Sequence, residues 1–233
     1  MGFSFCLAVF ISLLIGALLG VFISKWLKSS VHYISSLCAG ALGGVLFLEL
    51  IPHSFGEYDY ITVLLGILIG FLLIYSFDFS VHCFLDKKIK DSKLAFYFLL
   101  LAITIHNVPS GLALGNHADS SGHLSHIIIL HHIPEGMSLM LIAYSAFIKT
   151  RQVIIISFAF LSVSLFGVVS FGLQFPITNN HLVEVLLGFS ISTFGYVIFI
   201  ELLLPALKVG SKSLHFLSAL FGIFIIQVVL FIG

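Results

Sequence analysis

Residues 124–147 read LSHIIILHHIPEGMSLMLIAYSAF, an apolar stretch of 24 residues that contains no lysine, arginine or aspartate. A helix of about 20 such residues crosses the hydrocarbon core of a bilayer. Its centre carries two adjacent histidines, His131 and His132, and one carboxylate, Glu135, around a proline. Ionisable residues inside a membrane are costly and usually face the interior of a helix bundle. The stretch therefore predicts a transmembrane helix with a polar site near its middle.

Further apolar segments of similar length occur on both sides of this stretch. Charged or polar clusters separate them, and the connections are too short to hold a soluble domain. In chain order, the predicted spans are residues 3–24, 34–53, 60–84, 94–115, 124–147, 153–174, 182–206 and 213–232. We predict one all-α integral membrane domain over residues 1–233, with eight transmembrane helices.

The composition agrees with a membrane protein. The chain is 60% hydrophobic and 9% charged, with a mean hydropathy of +1.20, whereas a soluble domain needs more charge. Its formal net charge is zero, which gives no indication of a nucleic-acid partner. The three cysteines form no CxxC pair, so we expect packed thiols rather than a disulfide or metal ligands. The first cation is Lys25, which favours a first helix that is retained over a cleaved signal peptide.

The cationic residues indicate the orientation of the chain in the membrane. All ten follow the first, third, fifth or seventh span: Lys25, Lys28, Lys87, Lys88, Lys90, Lys93, Lys149, Arg151, Lys208 and Lys212. Loops rich in lysine and arginine stay on the cytoplasmic side of a membrane. We therefore predict that both termini lie outside.

A short pattern occurs in two different spans. The sequence GxVxFxE begins at Gly43 in the second span and again at Gly195 in the seventh, and a proline follows each copy. The two spans run in opposite directions through the membrane, as the halves of an inverted-repeat transporter do. Chance similarity between two apolar helices is the alternative explanation. We predict an inverted repeat.

The fourth and fifth spans carry matching polar blocks, HNVPSG at residues 106–111 and HHIPEG at residues 131–136. His131 and Glu135 are four residues apart, so they share one helix face. Each proline frees a backbone carbonyl and bends its helix. Because the two spans are antiparallel and both blocks lie near mid-membrane, we expect His106 to approach Glu135. The predicted shared site consists of His106, Asn107, His131, His132 and Glu135.

These ligand types indicate a divalent metal ion. Imidazole, carboxylate and amide groups suit borderline ions such as Zn²⁺, Fe²⁺, Mn²⁺, Ni²⁺, Co²⁺ or Cd²⁺. The absence of thiolate from the site argues against Cu⁺. Ligand type alone does not rank the divalent ions.

The two blocks resemble those of the ZIP (Zrt-, Irt-like protein) family of divalent metal transporters. The resemblance extends to the eight-helix layout, the outside termini, the Gly-rich second span and the region of Glu201. It implies a 3+2+3 helix arrangement and metal influx to the cytoplasm, usually of Zn²⁺ or Fe²⁺. His106, His131 and Glu135 match the primary metal site of the family, and Asn107 and His132 match positions that contribute to an adjacent second site.

The chain departs from the family pattern at one position. The shared glutamate of the fourth span is Ser110 here, which leaves a hydroxyl in place of a carboxylate. The second, bridged metal position therefore stays in question. Ser110 remains an additional candidate for the metal path.

Three more residues are candidates for the metal path. Asp78 and His82 lie four residues apart near the cytoplasmic end of the third span, where a local interfacial pair is the preferred interpretation. Glu201 lies near one end of the seventh span, where gating and interfacial capping are both consistent with its position.

Three functions fit these residues. The first is transport of a divalent metal ion, with Zn²⁺ as the leading candidate, through the site on the fourth and fifth spans, with no enzymatic activity. The second is an intramembrane metallohydrolase with Glu135 as base, although no HExxH pattern is present. The third is a metal-binding homologue or sensor without transport, which the serine at position 110 motivates. We also expect residence in the plasma membrane, or in the inner membrane of a bacterium, and allow for a homodimer.

Overall fold

The computed structural model describes residues 2–27, 30–84, 96–97, 99–101, 103–105, 107–108, 122–149, 151–154, 156–158, 161 and 180–232. For residues 2–6, 77–78, 80–84, 122–128, 180 and 232, it describes only the helical backbone. Within these ranges the chain forms helices and short turns and contains no strand. The prediction of an all-α protein is confirmed.

Six long helical stretches dominate the described part of the chain. They are α1 (Gly2–Trp26); α2 (Val31–Val45), which continues through a π-helical segment (Leu46–Leu50) into α3 (Ile51–Glu57); α4 (Tyr60–Phe84); α5 (Gly122–Ser145); α6 (Asn180–Tyr196), which continues through a second π-helical segment (Val197–Leu203) into α7 (Leu204–Leu207); and α8 (Lys212–Ile232). These stretches overlie the first, second, third, fifth, seventh and eighth predicted spans. Most of the fourth and sixth spans lies outside the described residues.

Four of these stretches are long and apolar enough to cross a membrane: Leu7–Trp26, Val31–Glu57, His181–Leu207 and Lys212–Phe231. A shorter apolar helix covers Tyr60–Ser76. Large apolar side chains remain exposed along α1, α4 and α8. Lipid is the environment in which such surfaces are stable. The chain is therefore an all-α membrane protein, and the total of eight spans stays a prediction.

The two π-helical segments occupy equivalent places in the two copies of the GxVxFxE pattern. One contains Glu49 and the other contains Glu201, and each is followed by a proline in the first turn of the next helix, Pro52 or Pro205. A proline lacks the N–H for an i→i−4 hydrogen bond, and its ring crowds that carbonyl. A wider π turn before the proline accommodates both effects.

The long helices pack in pairs, α1 with α5, α2 with α8 and α4 with α6. In each pair a glycine of either helix faces the backbone of the other: Gly16 and Gly136, Gly40 and Gly222, Gly66 and Gly188. A methyl group at any of these positions would lie 2.0–2.3 Å from a backbone oxygen of the partner helix. Backbones that approach this closely are typical of helix pairs in membranes, where small residues form the interface.

The α2 and α6 stretches cross each other where their shared patterns lie. Gly43 is opposite Ile198, and Gly195 is opposite Leu46, so the two helices run antiparallel. The rings of Phe47 and Phe199 come within 6.1 Å of each other at the same crossing. The α5 helix, which carries the predicted metal ligands, packs between α1 and α2.

Candidate metal site

The centre of α5 brings three ligand-type side chains to one point. Atoms of His131, His132 and Glu135 all lie within 4.8 Å of one another, and all three residues are buried. His131 Nε2 is 3.8 Å from Glu135 Oε1, and His132 Nε2 is 3.7 Å from Glu135 Oε2. The i,i+3 and i,i+4 spacings place both imidazoles over the same carboxylate.

Asn107 joins this cluster from the neighbouring segment of the chain. Its side chain is fully buried, and its Oδ1 lies 3.1 Å from His132 Nε2. The contact places the second residue of the HNVPSG block beside the second histidine of the HHIPEG block. Asn107 and His132, predicted as metal ligands together, are therefore neighbours in space.

The carboxylate of Glu135 has unsatisfied hydrogen-bonding capacity. Among the described residues, neither of its oxygens accepts a hydrogen bond, and Asn107 Nδ2 donates none. A buried carboxylate without hydrogen bonds is costly unless a positive charge lies nearby. The distances of 3.7 and 3.8 Å to the imidazole nitrogens are too long for hydrogen bonds. A cation bound beside the carboxylate would neutralise the charge of Glu135.

The donor set suits a borderline divalent ion. Two imidazole nitrogens, a carboxylate and an amide oxygen are the ligands that Zn²⁺ and similar ions accept, and no cysteine belongs to the cluster within the described residues. Cys38, whose side chain is described, is buried and free. The expectation that Cys38 forms no disulfide is consistent with this finding, whereas the side chains of Cys6 and Cys83 lie outside the described residues.

Helix α1 packs against α5 beside the cluster. Gly136, next to Glu135, faces the carbonyl oxygen of Leu13, and Ser12 Oγ donates a hydrogen bond of 2.7 Å to the carbonyl oxygen of Ile129. On α5 itself, Ser138 Oγ donates to the carbonyl oxygen of Pro134 at 2.6 Å. These contacts hold the helix on both sides of Pro134, which lies inside it.

The other predicted site residues have different outcomes. His106 and Ser110 lie outside the described residues. Asp78 and His82 are on α4, but their side chains lie outside the description. Glu201 is described on the second π-helical segment, and it is not a member of the cluster. The predicted approach of His106 to Glu135 stays a prediction.

Two polar contacts in the structure were not predicted from the sequence. At one end of the molecule, Glu184 is buried, pairs with His181 at 3.0 Å and accepts a hydrogen bond from the Asp59 backbone N–H at 3.4 Å. Burial, together with the carboxylates of Glu57 and Glu184, raises the pKa of Tyr58 beside them. The i,i+3 spacing of His181 and Glu184 on one helix is the sequence feature that could have predicted their contact.

At the other end, His215 is fully buried between two helices. Its Nδ1 is 2.8 Å from Ser36 Oγ, its Nε2 donates to the carbonyl oxygen of Val209, and its ring lies against Tyr33 at 4.5 Å. No local spacing connects Ser36 with a residue of α8, so this contact has no signal in the sequence.

No protein-family model matches this chain, and no curated protein matches it. The geometry of the cluster and the packing of the helices are therefore the basis for assigning a function.

Proposed function

We propose that the protein transports a divalent transition metal ion, Zn²⁺ first among the candidates, across a membrane into the cytoplasm. The ion binds between His131, His132, Glu135 and Asn107, and alternating access exposes this site to each side in turn. Membership of the ZIP family, a 3+2+3 arrangement of eight helices and residence in the plasma membrane or a bacterial inner membrane are part of the proposal.

The observation that carries the proposal is the buried His131/His132/Glu135 cluster in the middle of an apolar helix. A structural hydrogen-bond network between membrane helices is usually made by serine, threonine or asparagine side chains. Here the carboxylate oxygens accept no hydrogen bond from any described residue, so such a network does not account for Glu135. A bound cation does account for it.

A repeat in the helix packing also supports a transporter. Gly70 of α4 faces the Phe189 carbonyl of α6, and Gly222 of α8 faces the Leu37 carbonyl of α2. Gly70 and Gly222 are 152 positions apart in the chain, as are Leu37 and Phe189, and as are the starts of the two GxVxFxE patterns. The same contact between a glycine and a carbonyl therefore occurs twice, and the corresponding residues are 152 positions apart in the chain.

The turns before α4 and α8 make similar contacts, whose donors Asp59 and Ser211 are 152 positions apart and whose acceptors Glu184 and Tyr33 are 151 positions apart. The backbone N–H of Asp59 donates to Glu184 at the start of α6, and that of Ser211 donates to Tyr33 at the start of α2, at 3.2 Å. Since α2 and α6 are antiparallel, these contacts support an inverted repeat. Inverted repeats that cross near mid-membrane are a common design of secondary transporters.

Uptake into liposomes tests the proposal. We expect purified protein in proteoliposomes to take up Zn²⁺ saturably. The rate of uptake by Glu135→Gln should be at least about tenfold lower, because the substitution removes the charge that holds the ion. The matched control is Glu57→Gln, the same chemical change at an exposed helix end, which should leave uptake unchanged. Parallel assays with Fe²⁺, Mn²⁺ and Cd²⁺ rank the ions.

The opposite result would be saturable Zn²⁺ binding without uptake by folded protein. It would contradict transport and favour the sensor or hydrolase alternatives. Recovery of uptake in Ser110→Glu would then identify a homologue that has lost transport. Release of a cleaved lipid or peptide with the metal retained would identify a hydrolase.

A further inference from the structure

The end of α5 holds an aromatic residue in an unusual conformation. Phe147 has a φ of 54° and is 93% exposed, although left-handed backbone is costly for a residue with a side chain. The Ile148 N–H donates to the Ala143 carbonyl at 3.0 Å, and the Phe147 N–H donates to the Tyr144 carbonyl at 3.1 Å. This cap normally has glycine at the position of Phe147. The turn directs the ring outward, while Ile148 packs against the core.

A second exposed aromatic residue lies at the same end of the molecule. Helices α1 and α5 run parallel, because Ser12 contacts Ile129 and Gly20 contacts Met137. Their carboxyl ends are therefore at a similar level. Trp26, the last residue of α1, is 75% exposed, and its ring stacks on Phe22 with centroids 5.6 Å apart.

Exposed cations accompany these rings. Lys25 precedes Trp26, and Lys149 and Arg151 follow Phe147, all three on the surface. No aspartate or glutamate occurs within residues 1–48 or 136–183, so no acidic residue nearby in the sequence neutralises this charge. The surface formed by Lys25, Trp26, Phe147, Lys149 and Arg151 is here called the aromatic–basic surface.

We propose that the aromatic–basic surface binds the headgroups of anionic phospholipids in the leaflet at this end of the membrane. Aromatic rings at the ends of membrane helices lie at headgroup level, and clustered lysine and arginine attract anionic lipids. The apolar surfaces of α1 place that leaflet beside the rings. The unfavourable backbone of Phe147 is then offset by burial of its ring in the interface. The proposal does not depend on metal transport.

The single tryptophan of the chain lies within this surface, so its fluorescence reports on the neighbouring lipid directly. We expect brominated phosphatidylglycerol in phosphatidylcholine vesicles to quench Trp26 more strongly than brominated phosphatidylcholine at the same mole fraction. Removing two cations in Lys149→Gln/Arg151→Gln should lower this preference on the order of tenfold. The control pair Lys208→Gln/Lys212→Gln changes the net charge equally and should leave most of the preference. Equal quenching by the two lipids in the unmodified protein would overturn the proposal.

Two further measurements separate lipid binding from a folding effect. In the unmodified protein, high salt should reduce the preference for phosphatidylglycerol, because salt screens the cations. In Phe147→Gly, the turn keeps its conformation without steric cost, so the melting temperature should rise in neutral detergent. That gain should shrink or reverse in phosphatidylglycerol bilayers. A preference unaffected by salt, or an equal gain in both media, would contradict the proposal.

Discussion

At the residue scale, the cluster on α5 was partly predicted. The four-residue spacing of His131 and Glu135 predicts their shared face, and the structure confirms that they lie together. His132 was assigned by resemblance to an adjacent second position. In the structure it faces the same carboxylate as His131 and also Asn107. Side-chain torsions decide which atoms of the cluster meet, and the spacing of residues along a helix does not specify them.

Asp59 caps α4 and provides a prediction about pH. Its Oδ2 accepts hydrogen bonds from Thr62 N–H at 3.1 Å and Thr62 Oγ1 at 2.7 Å, which hold the pKa of Asp59 below its ordinary value of 3.8. A lowered native pKa means that the stabilisation is complete above pH 3.8 and disappears as the pH falls through the native pKa. We expect Asp59→Ala to lower the melting temperature at neutral pH.

Melting temperatures at acid pH separate the contribution of the Asp59 charge from that of its capping hydrogen bonds. The difference in melting temperature between Asp59→Ala and the unmodified protein should shrink when the pH is lowered to about 3. The control Asp59→Asn keeps an oxygen that caps the helix without titrating. A difference for Asp59→Ala that does not change with pH would show that the carboxylate charge contributes nothing.

At the element scale, the π-helical segments and the turn at Phe147 were not predicted. Glu49 and Glu201 each lie inside a predicted continuous helical span, and only Pro52 and Pro205 indicate a disturbed turn. A left-handed backbone is unfavourable for phenylalanine, so the residue type at position 147 predicts a different backbone conformation. The prolines give a local cause for the π-helical segments, whereas the local preference of phenylalanine does not indicate the turn at Phe147.

The contact between α1 and α5 predicts the effect of a single methyl group. In Gly136→Ala the new methyl would lie 2.2 Å from the Leu13 carbonyl oxygen, so the two helices must separate. We expect a loss of about 1–3 kcal/mol of stability, together with weaker Zn²⁺ binding, because Glu135 moves with its helix. Thermal unfolding and metal titration measure the two effects.

A glycine with free space beside it is the matched control. A methyl group at Gly43 would lie 3.9 Å from Ile198 Cγ2, an ordinary packing distance. We therefore expect Gly43→Ala to retain stability and metal binding. Equal losses in Gly43→Ala and Gly136→Ala would contradict the role of close approach.

At the scale of the whole molecule, charge separates to opposite ends. Val31, Ile23 and Leu141 pack together, and Tyr33 contacts the turn at Ser211. One end therefore carries the described cations: Lys25, Lys149, Arg151, Lys208 and Lys212. The other end carries Glu57, Asp59, His181 and Glu184 around the start of α6. The alternation of cationic loops predicted this separation, although not the contacts that produce it.

The charge separation predicts how the molecule lies in the membrane. We expect the cationic end to face the cytoplasm, because positive loops resist translocation. After replacement of the three native cysteines, Glu57→Cys should react with an impermeant thiol reagent in intact cells. Lys208→Cys should react only after permeabilisation. The reverse pattern would place the termini inside and contradict the predicted orientation.

The contact between α1 and α5 also determines which mutations can compensate for one another. Ile133 O faces Gly16, and Leu13 O faces Gly136. Every amino acid supplies the same carbonyl group, so no replacement of Leu13 or Ile133 removes the obstacle that an enlarged glycine would meet. A genetic screen for suppressors of Gly136→Ala should consequently recover reversion to glycine or changes that shift a whole helix, and no substitution at the opposing residue.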